Sequence, residues 1–234
     1  VDSIFIGHGV GPLAIAGLAL TFPLMNLAAA FGALVGVGAS TLVAIKLGQK
    51  DRESATQVLG NVIIMNTIIG IAFAFVTLLF LDPVLFFFGA SEETLPYARE
   101  YMKIILYGNV ITHIYMGLNE LLRSSGYPKK AMFATLTAVI LNCILDALFI
   151  FVFDWGIRGA AVATILAQVV ALTFQVFHFA DRRSFLHFQR GIFRLKGSII
   201  KGMLAIGLSP FLMNACSCLV VILINKSLKT HGGD

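Results

Sequence analysis

Asp146 stands in the middle of an apolar run, TAVILNCILDALFIF. Asn142 lies four residues earlier, so on a helix the amide and the carboxylate share one face, a turn apart. The short turn DWGIRG follows and makes the next apolar segment an antiparallel neighbour. Counted from Trp155, Asp146 lies nine residues before and Thr164 nine residues after. That puts both at one depth, ~10 Å below one membrane surface at the rise of an α-helix. Asp2 is five residues before Gly7, where an opening apolar stub ends, and falls in the same half-layer. Two carboxylates, an amide and a hydroxyl are all oxygen donors, which hard cations prefer. A carboxylate in a low-dielectric site also takes up a proton readily. The set therefore suits a sodium ion, a proton, or either. The competing reading is that Asn142 and Asp146 only hold helices together by hydrogen bonds.

Other polar groups within apolar segments are few. His113 is mid-segment and reads as a packing residue, a titrating group or a cavity contact. Gln168 and Gln175 are seven apart on one helix face, which allows a polar stripe lining a cavity. Glu120 lies three residues before Arg123, as an interfacial ion pair would. Cys143, Cys216 and Cys218 lie in apolar segments and behave as small hydrophobes. The five histidines make no metal-ligand spacing.

The elements that must carry these residues follow from composition. Of 234 residues, 58% are hydrophobic and 12% charged, against about 25% charged in a soluble domain. A soluble fold of this length cannot hide so much apolar surface. The chain is an all-α integral membrane protein that uses the lipid bilayer as solvent, not a soluble enzyme and not a nucleic-acid binder. After the stub, apolar segments run approximately 13–46, 57–81, 98–122, 131–153, 157–179 and 205–228. The first exceeds a straight span and contains Pro23, Gly32, Gly36 and Gly38, so a tilted or kinked helix is expected. Gly32 with Gly36 and Gly159 with Ala163 have the small-xxx-small spacing of close helix packing. The opening stub and the turn-like THGGD at the other end suggest a piece of a larger membrane protein.

Twelve of the 17 Lys and Arg residues fall in 46–52, 123–130 and 180–201, which are alternate loops. The positive-inside rule makes those loops cytoplasmic. The segment 82–91 is external and expected to lie flat at the interface. The basic segment 180–204 interleaves Phe185, Phe188 and Phe193 with its cations and is expected to be a cytoplasmic linker with an amphipathic helix. It separates a helical unit over 1–179 from one final span over 205–234.

In their order and spacing, VDSIFIGHGVGPLAIAGLAL, GASTLVAIKLGQKDRESA, LLRSSGYPKKAM, LNCILDALFIF and GIRGAAVATILAQ resemble the MATE (multidrug and toxic compound extrusion) transporters of prokaryotes. The resemblance implies twelve helices in two lobes joined by a cytoplasmic linker, with this chain running from the end of helix one to helix seven. It implies a cation site of Asp2 on helix one, Asn142 and Asp146 on helix five and Thr164 on helix six. Another branch carries an acid on helix seven; here LSPFLMNACSC offers Asn214 instead.

The resemblance also implies a multi-pass protein of the bacterial inner membrane. It would export amphipathic, cationic, drug-like compounds by alternating access, coupled to Na+ or H+ and without a cofactor. It would need a C-terminal lobe to complete its cavity. Two rivals are a lipid-linked oligosaccharide flippase of the same superfamily and a seven-helix receptor or sensor. The flippase would need cations within its spans, which are scarce here. No metal-binding, nucleophile-elbow or phosphate-loop motif speaks for an enzyme.

Overall fold

In lipid, every backbone N–H and C=O must find its partner within the segment, so apolar runs of this length form helices. The computed structural model describes residues 2–189 and 191–231. In chain order its helices are α1 (Asp2–Gly9), α2 (Pro12–Gly48), α3 (Arg52–Leu79), α4 (Leu81–Phe87), α5 (Leu95–Tyr107), α6 (Asn109–Ser124), α7 (Pro128–Ala147), α8 (Gly156–Ala180) and α9 (Gly197–His231). α7 runs on into a π-helical turn, Leu148–Val152. Five of these stretches are long and apolar enough to cross a membrane: α2, α3, α7 with its π turn, α8 and α9.

The exterior is as apolar as a bilayer requires. Phe75, Leu79, Phe177 and Leu223 are each more than 60% exposed, which water would penalise and lipid does not. Inside, one apolar cluster gathers Ile6, Leu18, Leu24, Tyr101, Met102, Ile150 and Ile157. A second gathers Val35, Val43, Leu59, Leu118, Leu122 and Phe179. The first belongs to the beginnings of α2 and α8, the second to their ends, so the bundle has a core at each end.

The expected span 98–122 is interrupted. It forms two helices, α5 and α6, that meet at Gly108. The Ile165 side chain of α8 occupies the place where a Cβ at Gly108 would stand. Beside the break, Asn109 donates from Nδ2 to the Gly70 carbonyl of α3 at 3.0 Å. A glycine pressed against a neighbouring helix gives little hydrophobic signal, so the periodicity read through it.

The linker also differs from expectation. Among its described residues, 181–196 contains no helix, and α9 begins at Gly197, ahead of the expected 205. Its backbone is satisfied sideways, against α3. Gln57 donates from Nε2 to the carbonyls of Ile192 and Arg194, both at 2.9 Å. Asn61 accepts from Lys196 N–H at 3.0 Å. Gly60 lets the Ile192 carbonyl approach to where a Cβ would otherwise sit. A chain anchored this way cannot direct the same groups along a helix axis.

α2 is a continuous helix of 37 residues with Pro23 inside it, ~55 Å at 1.5 Å per residue. The glycines sort by partner. Gly32 and Gly36 face His113 and Gly117 of α6, whereas Gly38 and Gly207 bring the backbones of α2 and α9 together. Gly159 packs on the Phe149 backbone. Glu120 pairs with Arg123 at 3.4 Å. The turn expected over the final residues lies outside the described residues from Gly232 on; Thr230 and His231 continue α9.

Candidate functional site

α7, α8, α1 and α5 meet around four oxygen-bearing side chains and a tyrosine. The antiparallel hairpin of α7 and α8 places Asn142 and Thr164 level, and Asn142 donates from Nδ2 to Thr164 Oγ1 at 3.2 Å. The same amide reaches Asp146 Oδ1, one turn on, at 3.3 Å. Thr164 Oγ1 donates to Asp2 Oδ2 at 3.1 Å, bringing α1 onto α8. Asp2, Asn142, Asp146 and Thr164 thus form one connected cluster.

A fifth member was not picked out from sequence. Tyr101 of α5, almost fully buried, donates from its hydroxyl to Asp2 Oδ2 at 3.0 Å. A tyrosine in an apolar segment reads as core, and most of its ring is core. The only signal of its role is a phenol hydroxyl that needs a partner when buried.

The π turn after Asp146 also lies beyond sequence reading. It adds a residue to the helical turn, a device common beside functional sites. Its Ile150 occupies the space where a Cβ at Gly9 would project, and Phe151 meets Phe5 edge-on with ring centroids 6.2 Å apart. Phe149 stacks on Trp155 at 5.1 Å. α1 is thereby seated against α7, with Asp2 at its first turn.

The electrostatics of the cluster are unequal. Asp146 is fully buried, and its Oδ2 has no hydrogen-bond partner among the described residues. Asp2 already accepts two hydrogen bonds on one oxygen. Two negative charges in a low-dielectric site repel, and a cation or a shared proton relieves that repulsion. The unused oxygen of Asp146 is available to either.

Of the three residues read as possible cavity lining, His113 and Gln175 are buried in helix packing and Gln168 stays partly exposed. His113 is 1% exposed and bonds from Nε2 to the Ala28 carbonyl of α2 at 3.0 Å. Gln175 is fully buried and donates to Asn119 of α6 at 3.4 Å; Asn119 in turn donates to Thr135 of α7. Gln168, partly exposed, accepts from Thr112 at 2.5 Å. A large cavity of about 970 Å³ lies elsewhere, among Leu27, Phe31, Ile69, Phe73, Phe87 and Leu204. Spacing puts Gln168 and Gln175 on one face, but only tertiary structure decides that the face meets α6.

Comparison with known proteins adds the family. The sequence model of the MatE family matches residues 1–148. The chain belongs to the MatE family. It is 29% identical over 228 residues to the multidrug export protein MepA of Staphylococcus haemolyticus, covering 97% of this chain and 50% of that protein. With MepA of Staphylococcus saprophyticus the identity is 28%, over 97% of this chain and 51% of the relative. The chain thus spans about half the length of the curated relatives it matches. Among solved structures, an inward-facing multidrug resistance MATE family transporter of the MOP superfamily matches with TM-score 0.93 at 30% identity, over 99% of this chain and 53% of that one. The outward-facing form of such a transporter matches with TM-score 0.89 at 30% identity, over 99% of this chain and 51% of that one. This MatE-family chain is an all-α, multi-span membrane protein.

Proposed function

We propose that this chain forms the N-terminal half of a cation-coupled multidrug efflux antiporter of the bacterial inner membrane. One observation carries the reading: in a MatE-family bundle, Asp2, Asn142, Asp146 and Thr164 form one hydrogen-bonded cluster in an apolar interior. Ionisable residues at membrane depth are costly and mark ion pathways.

The cluster contains only oxygen donors, which suits Na+, and paired carboxylates, which suits a proton. Either ion offsets the repulsion between Asp2 and Asp146. Uptake draws α1 toward α7 and α8, because Asp2 sits on α1 and its partners on the others. The ion shifts the balance between inward- and outward-facing packings only by the difference in its affinity for them. Exported substrates are amphipathic organic cations, held between this half and its C-terminal counterpart.

The test is dye export from vesicles containing the full-length transporter under an imposed Na+ or H+ gradient. Asp2→Asn and Asp146→Asn each remove one site charge at constant size. Both variants are expected to lose gradient-driven export while still binding dye. Export by both at the wild-type rate would contradict the coupling role.

A further inference from the structure

The linker between α8 and α9 builds a basic pocket that the cluster above does not use. A cavity of about 400 Å³ lies between the start of α3 and the linker, lined by Arg52, Arg182, Arg183, Ser184, Phe185 and His187, with Glu53 and Thr56 at its side. Three arginines and one glutamate line it, and the neighbouring Asp181 carboxylate accepts from the Arg183 backbone N–H at 2.9 Å. Among the described residues, none of the three is in an ion pair. Arg52 is positioned by the Phe185 ring, 5.6 Å from its centroid. The next cavity along α3, of about 500 Å³, adds Arg194 and Lys196. The positive field therefore continues along the linker.

The floor of the pocket is fixed. Ser184 is buried and donates to the His178 carbonyl at 3.0 Å, and the linker beyond is anchored to Gln57 and Asn61. Beside the cations, Phe185, Phe193 and Leu195 are each about half exposed. Basic side chains alternating with exposed aromatic and aliphatic ones, at the ends of membrane-spanning helices, match an interface with charged headgroups above and acyl chains below. The charge pattern of the loops puts this end of the bundle in the cytoplasmic leaflet.

We propose that this pocket binds the phosphate headgroup of an anionic phospholipid, with Arg52, Arg182 and Arg183 on the phosphate and Phe185 and Phe193 in the acyl region. The occupant is a lipid and not a free anion because the half-exposed apolar side chains have nothing to contact in a phosphate ion. Occupancy ties the linker to α3 at the junction between the two halves of the relatives' length. The proposal does not depend on which ion drives transport.

The experiment is native mass spectrometry of the purified protein, released from micelles containing phosphatidylglycerol or phosphatidylcholine. Wild type is expected to retain phosphatidylglycerol in preference to phosphatidylcholine. R52Q/R182Q/R183Q is expected to lose that preference by about tenfold or more, since each basic side chain near the surface contributes to anionic-lipid binding. Lys129→Gln, which removes an exposed cation outside the pocket, is expected to keep the preference, and equal thermal stability of both variants shows that they are folded. Equal retention of the two lipids by wild type, or an undiminished preference in the triple variant, would overturn the proposal. So would displacement of phosphatidylglycerol by millimolar inorganic phosphate.

Discussion

Thr164 Oγ1 donates a hydrogen bond of 3.1 Å to Asp2 Oδ2, and by that bond α8 holds α1 across 162 positions of sequence. α1 is short and packs on α2, α7, the π turn and α8. It is therefore the element most easily moved by a change of charge at Asp2. Tyr101 converges on the same oxygen from α5 at 3.0 Å. The seating of α1 thus depends on how a single carboxylate is satisfied.

Tyr101→Phe removes that second donor and leaves the ring packed. A hydrogen bond to an ionised group is worth about 1.5–3 kcal/mol, of which the variant is expected to lose ~1–2, lowering the melting temperature by about 2–8 °C. Stabilisation by added Na+ or acid should change as well, because Asp2 is held differently. Thermal unfolding across a Na+ and pH series checks this. An unchanged melting temperature with an unchanged ion response would show that the phenol is core only.

Gly207→Ala tests the contact between α2 and α9. A methyl there would collide with the Leu34 carbonyl, a backbone atom that cannot rotate away. Overpacking of this kind costs about 1–3 kcal/mol or more. Gly48→Ala, at a position with open space around it, is expected to change stability by less than about 1 kcal/mol. Melting temperatures of the two variants decide; equal values would mean that the helices separate freely at Gly207.

The bundle and most of the cluster are legible in sequence because both rest on helical period and depth. Counting along the hairpin brings the faces of Asn142, Asp146 and Thr164 together but sets Asp146 level with Thr164; in the structure Asn142 bonds Thr164 and reaches Asp146 one turn on. Tyr101 could not be placed by counting, because its partner lies 99 positions away and no local pattern marks it. Gly108 hid the break between α5 and α6 for a similar reason: its partner is Ile165 of another helix. Gln175 and His113 show the limit of reading polarity alone, since a buried amide or imidazole serves helix packing as well as a cavity.

Gln57→Ala is expected to loosen the linker. The variant loses donors to the Ile192 and Arg194 carbonyls. Asn61 Nδ2 still donates to the Arg194 carbonyl at 3.2 Å, so the Ile192 carbonyl is the one left unpaired. A buried carbonyl without a partner costs about 1–3 kcal/mol, which raises the open population of the segment about fivefold or more. Limited trypsin digestion should then cut after Arg194 and Lys196 correspondingly faster. Cleavage at the wild-type rate would mean that Asn61 and Gly60 suffice to anchor it.

The most direct test is ion uptake by the purified full-length transporter, followed by calorimetry for Na+ and by proton release or uptake in unbuffered detergent solution. Wild type is predicted to take up Na+ or H+ saturably, and Asp2→Asn and Asp146→Asn are each predicted to abolish that uptake while the protein stays folded. Uptake by both variants with wild-type amplitude and affinity would contradict a coupling site at Asp2 and Asp146.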